Sequence, residues 1–155
     1  MVPVYSVDSA ISNFFASHTK ATQQECNKRA TALIGAQVMP TAVQGAFSYT
    51  VVGGSPARLV QFRTPDSDLD VDLLHLARSI HGSVIASSIH HGYIGHSEPL
   101  SVYIIEKLPG ITYMESCIAN GANAILSPEE YQRQKNTIVD FARYCRSCVV
   151  SNNIN

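Results

Sequence analysis

From residue 36 onward the apolar residues recur at a spacing of about two, and this change of period constrains the fold more than any other feature of the chain. Period two is that of a β-strand, whose successive side chains point to opposite faces. VMPTAVQGAFSYTVVGG, residues 38–54, reads as a strand, a turn at Gln44-Gly45-Ala46, a second strand over 47–52 and a Gly53-Gly54 turn. ARLVQFR, 57–63, is a third strand that closes a hairpin. The rhythm changes again in SDLDVDLLHLARSIHG, 67–82, where Leu69, Leu73, Leu76, Ala77 and Ile80 share one helical face. Acids stand in its first turn and Gly82 follows its end, as a helix prefers. SVIASSIHHGYI, 83–94, and LSVYIIEKL, 100–108, return to strand character across a polar turn. The predicted order is three strands, a helix, then two strands.

Two helices precede the sheet and one follows it. Residues 6–17 place Ala10, Ile11, Phe14 and Phe15 on one face, a stripe expected to dock on the core. In 22–35, Thr22 with Glu25 three positions later forms a capping box, and Gly35 suits a left-handed stop. Ser127-Pro128-Glu129-Glu130 repeats the capping signal with proline at the first helical position. The helix behind it carries Ile138, Phe141, Ala142, Cys145, Cys148 and Val149 on one stripe. An exposed stripe of that size invites association, so packing on the rest of the chain or on a second copy is expected, and a homodimer with it.

Composition bounds the class. With 155 residues, 45% hydrophobic and 15% charged, one globular domain is expected, divided into a helical segment 1–35, a sheet-and-helix body 36–110 and a remainder 111–155. The net charge is −1 and neither sign clusters, which argues against nucleic acid as a partner. MVPVYSVDSA has no basic start or long apolar core, and no apolar run approaches the roughly 20 residues that cross a bilayer, so no membrane partner and a cytoplasmic setting are expected. Cys26, Cys117, Cys145 and Cys148 make one CxxC pair without a second pair or histidines at finger spacing; free thiols and no metal site are expected.

In order and spacing these segments resemble the amino-terminal lobe of the aminoglycoside phosphotransferase and choline kinase-like family, in particular its fungal members. VQGAFSYTVV (43–52) stands as the nucleotide-covering hairpin, LVQFR (59–63) as the third strand, LDVDLLHLARSIHG (69–82) as helix C and VYIIEKLPGITY (102–113) as the hinge. TIVDFARYC (137–145) is similar to the helix before the family's catalytic loop. The resemblance implies an α+β fold with a five-stranded antiparallel sheet. It also implies that Arg63 contacts phosphate, that Asp70 or Asp72 orients it, that Gly45 belongs to the phosphate loop, and that Glu106 and Leu108 offer backbone groups to an adenine. After the last helix the sequence reads SCVVSNNIN, without a His-Gly-Asp-like loop, an asparagine metal ligand or a later aspartate. Phosphate transfer by this chain alone is therefore not expected.

Proton-transfer chemistry directs attention to histidine, which titrates near neutral pH. Five of six fall between 75 and 96: His75, His81, His90, His91 and His96. On a regular strand His90 and His91 face opposite sides, and His75 can reach a strand from its helix. Glu106, Tyr103, Tyr113, Glu115 and Asp72 complete the polar candidates. Three readings follow. The first is a redeployed lobe acting on a hydrophobic secondary metabolite by isomerisation or cyclisation, without a cofactor, with His75, His90, His91 and Glu106 as its catalytic set. The second is an ATP-binding half of a split or decayed phosphotransferase, with Gly45, Arg63, Asp72 and Leu108 around the nucleotide and a second chain supplying the catalytic lobe. The third is a non-catalytic dimeric interaction module with a filled cleft. An enclosed apolar pocket holding histidines marks the first, an open cleft with Arg63 near an acid the second, and no cleft the third.

Overall fold

The structure is a computed structural model that describes residues 5–112, 114–115 and 127–151, the last helix without its side chains beyond Arg143. The chain forms two compact units, residues 1–115 and residues 116–155, with the boundary inside the segment 111–155. The first unit is an α+β fold built on a five-stranded antiparallel sheet. Helices α1 (Val7–Ser17) and α2 (Gln23–Ile34) lead into strands β1 (Val38–Pro40), β2 (Ser48–Gly53) and β3 (Arg58–Arg63). Helix α3 (Val71–His81) then precedes β4 (Ser88–Ile94) and β5 (Leu100–Glu106). The sheet order is β1-β2-β3-β5-β4, so β5 inserts between β3 and the edge strand β4.

The local signals formed as their chemistry requires. The Thr22 hydroxyl accepts from the Glu25 N–H at 3.2 Å while the Glu25 carboxylate accepts from the Thr22 N–H at 2.7 Å. Gly35 ends α2 in the left-handed region at φ 75°, which a residue without Cβ enters at no steric cost. α3 is shorter at its start than the sequence pattern suggests, because Pro65–Ser67 winds as a 3₁₀ turn and Asp70 caps Val71 onward through Leu73 N–H at 2.8 Å.

The alternation of β2, β3 and β5 sorts the sheet into two unlike faces. Tyr49, Val51, Val60, Phe62, Leu100, Val102 and Ile104 turn to one face and pack against Ile11, Phe14, Cys26, Ala30 and Ile34 of the first two helices and Ala21 of the connection between them. Rings run through this core, with Phe15 edge-on to Tyr49 at 5.0 Å and Tyr49 stacked on Phe62 at 6.1 Å. The Tyr49 hydroxyl is satisfied at the layer boundary, donating to Asn27 at 2.8 Å and accepting from Gln23 at 3.2 Å. Burial pushes the Cys26 thiol up to about 12, so it packs as a small apolar group.

α3 is attached differently. None of its residues is buried, and Leu73, Leu76 and Ile80 of its apolar stripe are exposed. Polar ties join half-buried Val71, Leu74 and Ala77 in holding it: His75 Nε2 meets the Ser88 carbonyl at 3.1 Å, Arg78 pairs with Glu106 at 2.9 Å, and the Leu69 N–H just before the helix donates to the Tyr103 hydroxyl at 3.2 Å. In the second unit, α4 (Pro128–Ser151) starts on a formed capping box: Ser127 N–H donates to Glu130 at 2.8 Å and Glu130 N–H to the Ser127 hydroxyl at 3.2 Å. Ile138 and Phe141 of its stripe are exposed. Cys117 and the side chains of Cys145, Cys148 and Val149 lie outside the described residues. Among the described residues no helix is long and apolar enough to cross a membrane.

Candidate functional site

The sheet face opposite the core opens into a cleft of about 740 Å³. Its floor is the outward set of the alternating strands: Ser48 and Thr50 from β2, Leu59, Gln61 and Arg63 from β3, and Ile105 from β5. One wall is the loop from Thr41 to Phe47 and the other is the segment from Glu106 to Thr112 with Glu115.

The loop wall is fastened by a side chain that imitates a strand. The Gln44 amide accepts from Thr50 N–H at 2.8 Å and donates to the Thr50 carbonyl at 2.9 Å, matching both backbone groups of one residue. Its own backbone N–H donates to the Tyr5 hydroxyl at 2.7 Å. Next to it, a Cβ on Gly45 would come within 2.7 Å of the Ser48 hydroxyl, so any larger residue here would have to displace that hydroxyl. Two consecutive residues thus set the loop, one by bonding and one by absence of bulk.

The floor is polar at the loop end. Arg63 lies beside Ser48 in the β2–β3 register, and its Nε donates to the Ser67 carbonyl while Nη1 donates to Gln61 Oε1 at 2.9 Å. Gln61 in turn donates to the Thr50 hydroxyl at 3.0 Å and reaches the Ser48 hydroxyl at 3.5 Å. At the far end the floor is apolar, with Leu59 opposite Ile105 and Ala86 alongside. Both carboxylates of the wall are already engaged. Glu106 accepts from Ser87 N–H at 3.1 Å and pairs with Arg78, and these contacts, the amide first, hold its carboxyl below the ordinary range. Glu115 accepts from Thr112 N–H at 2.7 Å in a reciprocal cap, which lowers its carboxyl likewise. Among the described residues no carboxylate lies within ion-pair distance of Arg63, so the cleft offers a cation not held in a salt bridge.

Four of the eight sequence candidates converge here: Gly45, Arg63, Glu106 and Leu108. Asp72 and the three histidines do not line it. Asp70 is occupied in capping α3 and Asp72 is exposed in its first turn, so Arg63 is held by Gln61 and Ser67 where an acid of this helix was expected. His90 shares the cleft's face but stands two strands away, in the row Thr50, Gln61, Tyr103, His90. Tyr103 is 2% exposed beneath the connection to α3, and burial raises its hydroxyl. It separates His90 from the cleft. A register shift between His90 and Tyr93, with Gly92 at φ 78°, brings both rings to one side: His90 lies 5.2 Å from Tyr93 and 5.0 Å from Tyr103. His91 sits in that bulge, half-buried, and its carbonyl accepts from Arg29 at 3.4 Å. His75 is engaged with the Ser88 carbonyl. Tyr113 lies outside the described residues.

Sequence reasoning passed over Gln44, Ser48, Thr50, Gln61 and Arg78. Gln61 was within reach, since alternation in RLVQFR places it beside Arg63 on the same face. Gln44 was not, because its partner is known only once β2 is paired. Comparison with family models, with curated proteins and with solved structures returns no match for this chain.

Proposed function

We propose that the first unit is a nucleotide-binding lobe whose cleft takes ATP, as the binding half of a kinase-like phosphotransferase. The observation that carries this is the polarity of one open floor, with a guanidinium fixed by hydrogen bonds and without an ion-pair partner among the described residues at one end and an apolar surface at the other. Phosphates would lie at Arg63 and the Gly45 loop, and the base between Leu59, Ile105 and the backbone of residues 106–110. The resemblance of residues 43–113 to the aminoglycoside phosphotransferase and choline kinase-like lobe supports nucleotide as the ligand class. In this reading the first unit contributes binding, the catalytic and metal-binding acids come from outside it, and the setting is cytoplasmic.

Isomerisation or cyclisation of a hydrophobic metabolite has less support, because the described lining of the cleft contains no histidine and half of its floor is polar. Calorimetric titration with magnesium-ATP tests the proposal. Saturable binding below millimolar concentration, weakened tenfold or more by Arg63→Ala, is the expected result, and tenfold corresponds to about 1.4 kcal/mol. No binding at millimolar ATP rejects it. The oligomeric state of the same sample tests the expected homodimer.

A further inference from the structure

We infer that Gln61 is a positioning residue that turns the loop end of the cleft into a site for a terminal oxyanion. The inference rests on the cleft being a ligand site, as proposed above, and adds what selects the ligand's charged end. Its starting point is that a guanidinium has donors and no acceptor. Arg63 Nη1 points at Gln61, so the oxygen of that amide must face it, and the NH₂ must face the other way. That NH₂ lies against the hydroxyls of Thr50 at 3.0 Å and Ser48 at 3.5 Å, which must therefore accept. A hydroxyl that accepts from below keeps its own hydrogen for another partner. Arg63 has also committed its Nε, leaving Nη2 and the second Nη1 hydrogen.

One charge thus sets the direction of every bond in the chain Arg63, Gln61, Thr50 and Ser48. What remains for a ligand is mostly donors: the uncommitted Nη hydrogens of Arg63 and two hydroxyl hydrogens, beside one further lone pair on each hydroxyl. Ser48 and Thr50 are 5% and 8% exposed and line the cleft as part of its floor. A floor weighted toward donors, around a cation with no ion-pair partner among the described residues, favours a group rich in acceptors, a phosphate or polyphosphate end in preference to a hydroxyl or amine.

The test compares wild type, Gln61→Glu and Gln61→Met by calorimetry with sodium tripolyphosphate and with magnesium-ATP, thermal unfolding being followed on the same samples. A glutamate matches glutamine in size and can still bond both neighbours, but it cancels the charge of Arg63 and makes the hydroxyls donate inward. A methionine removes the bonds and leaves the charge. Gln61→Glu is expected to lose tenfold or more in tripolyphosphate affinity and Gln61→Met only a few-fold. A purely structural role predicts the reverse order, so a greater loss in Gln61→Met overturns the inference, as does equal affinity in all three proteins or no tripolyphosphate binding by wild type. The outcomes separate the two proposals. Tripolyphosphate binding with no ATP binding rejects the nucleotide reading and keeps this one, whereas ATP binding unchanged in Gln61→Glu does the opposite.

Discussion

The two faces of the sheet are made by the same strands yet are held by different forces. On the helix-covered face, Tyr49, Val51, Val60, Phe62, Leu100 and Val102 are excluded from water almost completely, and stability there follows apolar area and close packing. On the cleft face, Ser48, Thr50, Gln61 and Arg63 form a directed chain of hydrogen bonds, whose net contribution to stability is small but whose geometry is specific. The contrast separates the face that keeps the lobe folded from the face that can be spent on a ligand.

Substitutions of adjacent residues break or sharpen that contrast. Phe62→Ala empties a fully buried ring site and should lower unfolding free energy by about 3–5 kcal/mol in denaturant titrations. Gln61→Met, one residue earlier and on the opposite face, should lower it by only about 0.5–1.5 kcal/mol, since water in the cleft can satisfy the groups it leaves. Equal losses at 61 and 62 would erase the distinction. Leu76→Ser should change stability by less than about 0.5 kcal/mol, because Leu76 is 57% exposed on a helix held by polar ties; a core-sized loss would mean that its face is covered in solution. Least in magnitude is the pH dependence of Glu106. Its contacts favour the carboxylate in the folded chain, placing the folded pKa below the unfolded one, so its stabilisation is complete above the unfolded value and is lost as pH falls through the folded value. The difference between wild type and Glu106→Gln should stay constant from neutral pH to about 5 and shrink in stronger acid. A difference that persists below both values would place its cause elsewhere.

The same contrast explains what could be read beforehand. Caps at Thr22, Gly35 and Ser127 were legible because each uses groups within four residues of one another. Strand alternation was legible for the same reason, whereas Arg63 and Gly45 were expected at the cleft from the family resemblance. The histidines were not placed by such rules. Whether His90 faces a pocket depends on a bulge at Gly92, on β5 inserting between β3 and β4, and on Tyr103 closing the gap, and each of these joins residues distant in sequence. Likewise the α3 stripe had helical spacing whether or not anything lay against it.

By itself, then, the sequence determined the order of the elements and which residues of β2, β3 and β5 share a face, because backbone geometry and short-range hydrogen bonds fix a period wherever strands run regularly. It did not determine the bulge of β4 or its start at Ser88 rather than Ser83. Only the tertiary structure decided which face became core and which became cleft, that Gln61 rather than an acid of α3 holds Arg63, and that the histidines stand apart from it. Those outcomes depend on register and strand order, which are set by the burial of the whole lobe and not by any local run of residues.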